Sequence, residues 1–343
     1  MNLVIQSFGK EYEYRRAILT IYSFYAHYGW PTTARVILFT DNEAYFKPYL
    51  EPFAVDYIFL SPEKIKTMRG AIDFLHRMKI ALIDEALQRS NDKIFYVDSD
   101  TFFIANPESV EKAVAPDVAF MHLKEYDFAS LKDKPLPAGK TFRAFYELIV
   151  SQRFRGANSD DLEVLPGAES WNAGVMALHP AQRAWLADVY ALTDQFYPAT
   201  HNHASEQYAF SIVLQQRAKL RPCDDVVYHY WYRIEKRIAD LWLGKHIQLD
   251  WCALPVQRRL DDIRKMTGIL PAQFANHLLM IQDRAIQSFN ENKFAEGRHY
   301  AFRALLRKPW DIKFLRDVAY HLRRGWQGAI PHTIQTQQHE GSN

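Results

Sequence analysis

Hydrophobic positions along this chain alternate between short apolar runs and longer stretches at helical spacing. Leu3-Val4-Ile5-Gln6-Ser7 predicts a first strand. Residues 11–28 then carry Tyr14, Ile18, Ile21, Tyr22 and Tyr25 at helical intervals, closed by Gly29 and Pro31. Residues 35–40 predict a second strand ending at Asp41-Asn42, and residues 56–60 a third, stopped by Ser61-Pro62. A helix over residues 71–88 would bury Ile72, Leu75, Met78, Ala81, Leu82 and Leu87, and it leads into the apolar run Ile94-Phe95-Tyr96-Val97. Strands alternating with helices predict an α/β sheet covered on both faces.

After Pro116 the pattern loosens. Val118–Met121 reads as a strand and residues 141–150 as a helix, with polar stretches at 131–139 and 153–161. An apolar strand follows Trp171-Asn172-Ala173-Gly174, and Pro180 opens a helix to about Phe196. Another helix begins near residue 204, with Ser205 as its cap and Glu206 in its first turn. Residues 226–231 form a further apolar strand containing one histidine, His229. Beyond Pro255 no strand pattern remains, and over residues 256–324 Lys and Arg outnumber acids by about two to one. Helical spacing runs over 285–306 and again over 314–322; one stretch loosely matches a tetratricopeptide helix pair, and a single copy defines no repeat. Residues 329–343 are polar and predict a disordered tail.

The chemistry concentrates where the run 94–97 meets Asp98-Ser99-Asp100 before Thr101-Phe102-Phe103 resumes. Ligands of α/β sheets gather beyond the carboxyl ends of the strands. Two carboxylates held close together at such an edge repel one another unless a cation neutralises them. Hard oxygen ligands suit Mg2+ or Mn2+, which in turn attract phosphate. No glycine-rich phosphate loop follows the first strand, so metal and basic side chains would have to hold any phosphate.

Composition narrows the picture only a little. The 343 residues are 48% hydrophobic and 24% charged with a net charge of +2, an ordinary globular profile giving no reason to expect nucleic acid as a partner. Two cysteines are too few for a disulfide framework or zinc site, which favours a reducing, cytoplasmic setting. The first residues carry no cleavable apolar leader, and no apolar run is long enough to cross a bilayer.

Four segments in order resemble the nucleotide-sugar glycosyltransferases of the A-type fold, the family that includes glycogenin and the bacterial lipopolysaccharide galactosyl- and glucosyltransferases. They are Tyr96-Val97-Asp98-Ser99-Asp100, Trp171-Asn172-Ala173-Gly174-Val175-Met176, Glu206-Gln207 and His229-Tyr230, and the resemblance spans roughly residues 1–240. It implies a GT-A-like mixed, mostly parallel sheet and leaves the helical C-terminal appendage unexplained. With the change of pattern at Pro255, the expected layout is a catalytic domain over 1–255 (nucleotide-binding half about 1–115, acceptor-side half about 116–255), basic helices over 256–328 and a tail over 329–343. The implied reaction is sugar transfer from a nucleotide-diphosphate donor, a UDP-sugar, to a hydroxyl of a surface glycan or glycolipid, with retention of configuration.

By the same resemblance Asp98, Asp100 and His229 would hold Mn2+ or Mg2+. Asn172 and Glu206 would meet the donor sugar, with Glu169 a weaker candidate. Ser7, Phe8, Tyr12 and Asp41 would line the nucleoside pocket, and Arg77, Lys79 and Ser99 the donor side. The family has Gly and then Lys after its His-Tyr pair; this chain has Tyr232 and Glu235 there, so Arg233 or Lys236, or neither, would supply the diphosphate-binding cation. A phosphatase with the same acidic pair would need Thr or Val where Phe102 stands. The rival from another class is a non-catalytic nucleotide-sugar-binding scaffold. Aromatic residues among the basic C-terminal helices, Trp310, Phe314 and Trp326, point to a peripheral contact with the inner membrane face.

Overall fold

A computed structural model of the chain describes residues 1–137, 139–157 and 161–328; the expected tail at 329–343 and part of the polar stretch at 153–161 lie outside the described residues. Two compact units divide it, residues 1–231 with 240–268, and residues 232–239 with 269 onward.

In the first unit a seven-stranded sheet runs in the order Lys219–Pro222, Val118–Met121, Val175–Leu178, Ile94–Val97, Asn2–Ser7, Val36–Thr40, Val55–Phe59. This is the mixed, mostly parallel sheet of the expected fold class: of the seven strands, only Val175–Leu178 runs against its neighbours. The central strands are buried on both faces, which is why they read as unbroken apolar runs rather than alternating ones.

Register decides what reaches the edge. Ile5 pairs with Val97 and Ser7 with Thr40, so Ser7, Asp41 and Asp98 leave the sheet on the same side. The reversed strand pairs Val175 with Val97, which brings the preceding Asn172-Ala173-Gly174 to that edge; the Asp98 N–H donates to the Gly174 carbonyl at 2.7 Å. Thr101–Phe103 leaves the main sheet and pairs antiparallel with Val227–His229, His229 opposite Thr101. That small ribbon carries the histidine to the aspartates.

Several local expectations are corrected. The helix expected over 71–88 spans Arg77–Ser90, because Gly70 and Asp73 take positive φ and break the chain before it. Leu75 is accordingly exposed, and Phe74 is buried instead, stacked on Tyr197 at 3.9 Å. Ser205 does not cap the Ser205–Arg217 helix: its hydroxyl donates to the Asn202 carbonyl, and Ala204 stands at the cap. Two further helices, Glu43–Leu50 and Pro62–Arg69, are too short to show a helical period.

The second unit contains the helices Leu278–Asn290, Phe294–Arg307 and Ile312–Gly328. The continuous helix expected over 285–306 is interrupted where Asn292 takes a positive φ. The two arms then pack so closely that a Cβ on Gly297 would lie 2.5 Å from the Phe289 ring. Ile281, Ala285, Phe289, Ala301, Ala304, Phe314 and Val318 make this unit's core. No described helix is long and apolar enough to cross a membrane.

Candidate active site

Three predicted ligands converge. One ligand atom each from Asp98, Asp100 and His229 lie within 4.8 Å of one another, and Asp100 and His229 are buried. The His229 Nε2 is 3.5 Å from Asp100 Oδ1. Each element contributes for a local reason: the strand 94–97 ends at Asp98, the tight link to 101–103 holds Asp100, and the ribbon pairing sets His229.

Lys79 reaches the cluster from the helix Arg77–Ser90. Its Nζ lies 3.3 Å from Asp98 Oδ2 and 3.4 Å from Glu206 Oε1, and donates to the Ala173 carbonyl at 3.0 Å. Burial works against this ammonium, yet the charges of Asp98 and Glu206 outweigh it and raise the lysine above its ordinary pKa. The other Asp98 oxygen accepts from the Tyr96 hydroxyl at 2.6 Å, which itself accepts from Gln6 Nε2 at 3.1 Å. Burial first, and then the Asp98 charge, push the Tyr96 phenol well up, so it stays protonated and donates. Two carboxylates, those of Asp98 and Glu206, thus share the Lys79 ammonium, while Asp100 faces Asp98 and His229 in the ligand group. Glu206 Oε2 and Ser7 Oγ are buried with no hydrogen-bond partner among the described residues.

The histidine is held from behind. His229 Nδ1 is 2.9 Å from Asn172 Oδ1, which also accepts from the Gly174 N–H at 3.0 Å. Asn172 Nδ2 donates to Glu125 Oε1 at 3.0 Å, and Gln207 Nε2 donates to Glu125 Oε2 at 2.8 Å. Gly174 leaves room for the imidazole: a Cβ there would lie 2.1 Å from His229 Cε1. His122 packs edge-on to His229 at 5.5 Å and donates from Nε2 to the Val227 carbonyl at 3.0 Å. Burial and the neighbouring His229 lower its pKa to about 4, so it is neutral.

The remaining predicted residues are distributed differently. Asp41 accepts from the Gly9 N–H at 3.0 Å and the Tyr14 hydroxyl at 2.8 Å, fastening the loop after the first strand. Phe8 is half-buried against the core, and the exposed Tyr12 ring has the Arg16 guanidinium 4.9 Å over it. The Ser99 hydroxyl donates to Glu13 at 2.7 Å. The Arg77 guanidinium is engaged by Asp194 and the Met68 carbonyl, and Glu169 by Lys124 and the Trp171 indole. Arg233 and Lys236 open the helix Arg233–His246, in the stretch that groups with the second unit. Sequence reasoning missed Glu125, Tyr96 and Gln6. Tyr96 and Gln6 read as strand positions, and Glu125 sits in a polar strand, Lys124–Asp127, that resembles surface.

No protein-family model matches the chain, and no curated protein matches it by sequence. Solved structures similar to it include the galactosyltransferase LgtC in complex with donor and acceptor sugar analogues, at 12% identity and a TM-score of 0.43, covering 78% of this chain and 96% of that one. Mouse xyloside xylosyltransferase 1 matches at 13% identity and 0.41, covering 65% and 85%. The glycosyltransferase GlyE of Streptococcus pneumoniae TIGR4 matches at 11% and 0.43, covering 78% and 64%. Similarity this distant leaves the chemistry to be read from the side chains themselves.

Proposed function

We infer that this chain is a metal-dependent glycosyltransferase, moving a sugar from a nucleotide-diphosphate donor of the UDP-sugar class to an acceptor hydroxyl of a glycan or glycolipid. The observation that carries this reading is the convergence of one ligand atom each from Asp98, Asp100 and His229, all within 4.8 Å of one another. Like-charged carboxylates this close repel one another, and a divalent cation between them would turn that repulsion into ligation. Two carboxylates with one imidazole fit Mn2+, the imidazole weighing against Mg2+. When bound, such a cation would act as a Lewis acid toward the diphosphate that leaves the sugar.

The chain's own groups do the rest. Lys79 restrains Asp98 and Glu206 at once, so the ligand and the sugar-facing acid keep a fixed separation. The Glu206 oxygen without a partner is an acceptor available to a donor-sugar hydroxyl. The Ser7 hydroxyl, equally unpartnered at the end of the first strand, is suited to the nucleoside. With a panel of UDP-sugars and Mn2+, release of nucleoside diphosphate is expected and EDTA is expected to stop it. Donor binding without release would instead favour the scaffold, and absence of donor binding would sink both readings.

A membrane contact is the second reading. On the second unit Phe302, Leu306, Trp310 and Ile312 are all exposed by more than 60%. Arg307, Lys308 and Lys313 stand among them in sequence. Apolar side chains interleaved with cations suit an anionic lipid surface. Phe302→Ser with Trp310→Ser is expected to abolish co-sedimentation with phosphatidylserine-containing vesicles while leaving donor turnover intact; unchanged sedimentation would exclude this face.

A further inference from the structure

We propose that Glu125 is a positioning residue that selects the tautomer of His229 through Asn172. This deepens the glycosyltransferase reading and rests on its metal site. A carboxylate only accepts hydrogen bonds, and Glu125 receives one on each oxygen, from Asn172 Nδ2 and from Gln207 Nε2. Both amides must therefore turn their NH2 groups toward it. Asn172 is left with its Oδ1 on the opposite side, where it accepts from the Gly174 N–H and meets His229 Nδ1. An amide oxygen cannot donate, so the neutral imidazole must carry its proton on Nδ1. Its lone pair then sits on Nε2, the nitrogen beside Asp100 Oδ1.

The selection has a purpose because the local alternative is the wrong one. Left to Asp100 alone, a neutral His229 would favour a proton on Nε2, donating to the carboxylate and unable to ligate a metal. The relay from Glu125 opposes this without touching the metal ligands' own oxygens. Gln207 reinforces the relay. Its Oε1 accepts from the Ala173 N–H at 3.3 Å and its Nε2 also donates to Ser170 Oγ at 3.0 Å, which keeps both amides from turning together. Outer partners of metal-bound histidines commonly fix tautomer and ring orientation in this way, and their loss lowers metal affinity by about 10–100-fold.

Long-range 1H–15N spectra of the imidazole rings in the full, metal-free chain, at a pH where His229 is neutral, give the tautomer directly. The wild type is expected to show His229 protonated on Nδ1. Glu125→Met, close in volume and without an acceptor, is expected to lose that preference and to bind Mn2+ about tenfold more weakly by calorimetry. Glu125→Gln retains one oxygen for Asn172 and is expected to restore most of both. An Nε2-protonated His229 in the wild type would overturn the proposal whether or not any variant folds, and so would a folded Glu125→Met chain with an unchanged tautomer. Sugar transfer enters neither readout, so a failure of donor turnover would count against the proposed function and leave this assignment standing.

Discussion

Gly174→Ala is expected to abolish tight Mn2+ binding while leaving most of the fold intact. The added Cβ would lie 2.1 Å from His229 Cε1 and 2.5 Å from Nδ1, well inside any real contact. The backbone of Gly174 has little freedom to retreat, since its carbonyl accepts from Asp98 N–H at 2.7 Å and its own N–H is bound by Asn172. The imidazole must therefore swing away and break its bond to Asn172. Overpacking of this kind costs about 1–3 kcal/mol. The loss of a ligand should lower Mn2+ affinity by more than about 100-fold, beyond what outer-shell changes produce. Calorimetric titration with Mn2+, paired with a thermal melt, separates the two effects. Near-wild-type affinity in the alanine variant would mean that His229 is no ligand.

Lys79→Met should be the most destabilising single change at the site. It removes the ammonium shared by the half-buried Asp98 and the buried Glu206 and leaves both carboxylates without it. Breaking a buried pair from one side typically costs about 3–5 kcal/mol, because the abandoned charge remains desolvated. Added Mn2+ should recover part of this, so the rise in melting temperature on metal addition is expected to be larger for the variant than for the wild type. Denaturant unfolding with and without metal tests both statements. Equal stability of the two chains in EDTA would show that Lys79 is not the counter-charge of this cluster.

Much of the site was legible in the sequence because its residues terminate apolar strands. Asp98 follows four buried residues, and Asn172 and Gly174 precede four more. His229 was legible more weakly, as a lone polar side chain closing an apolar ribbon. Glu125 was not legible at all: in Lys-Glu-Tyr-Asp nothing marks one acid as half-buried beside an amide and the other as solvated. Arg77 shows the converse limit. The family resemblance put it on the donor side, but where its guanidinium points depends on Asp194, more than a hundred residues away.

What the sequence determined alone is the set of elements and their chemistry: apolar runs that must be buried as strands, and acids, amide and histidine at their ends. Burial of an apolar run is a local demand, so it is written locally. Which ends meet was decided only by tertiary structure. The reversed insertion of Val175–Leu178 beside Ile94–Val97, and the ribbon joining Thr101–Phe103 to Val227–His229, pair segments far apart in the chain. Alternation and apolarity specify that a strand will be buried but not its neighbour or its direction, and the shared edge where Asp98, Asp100, Asn172 and His229 meet exists only once those choices are made.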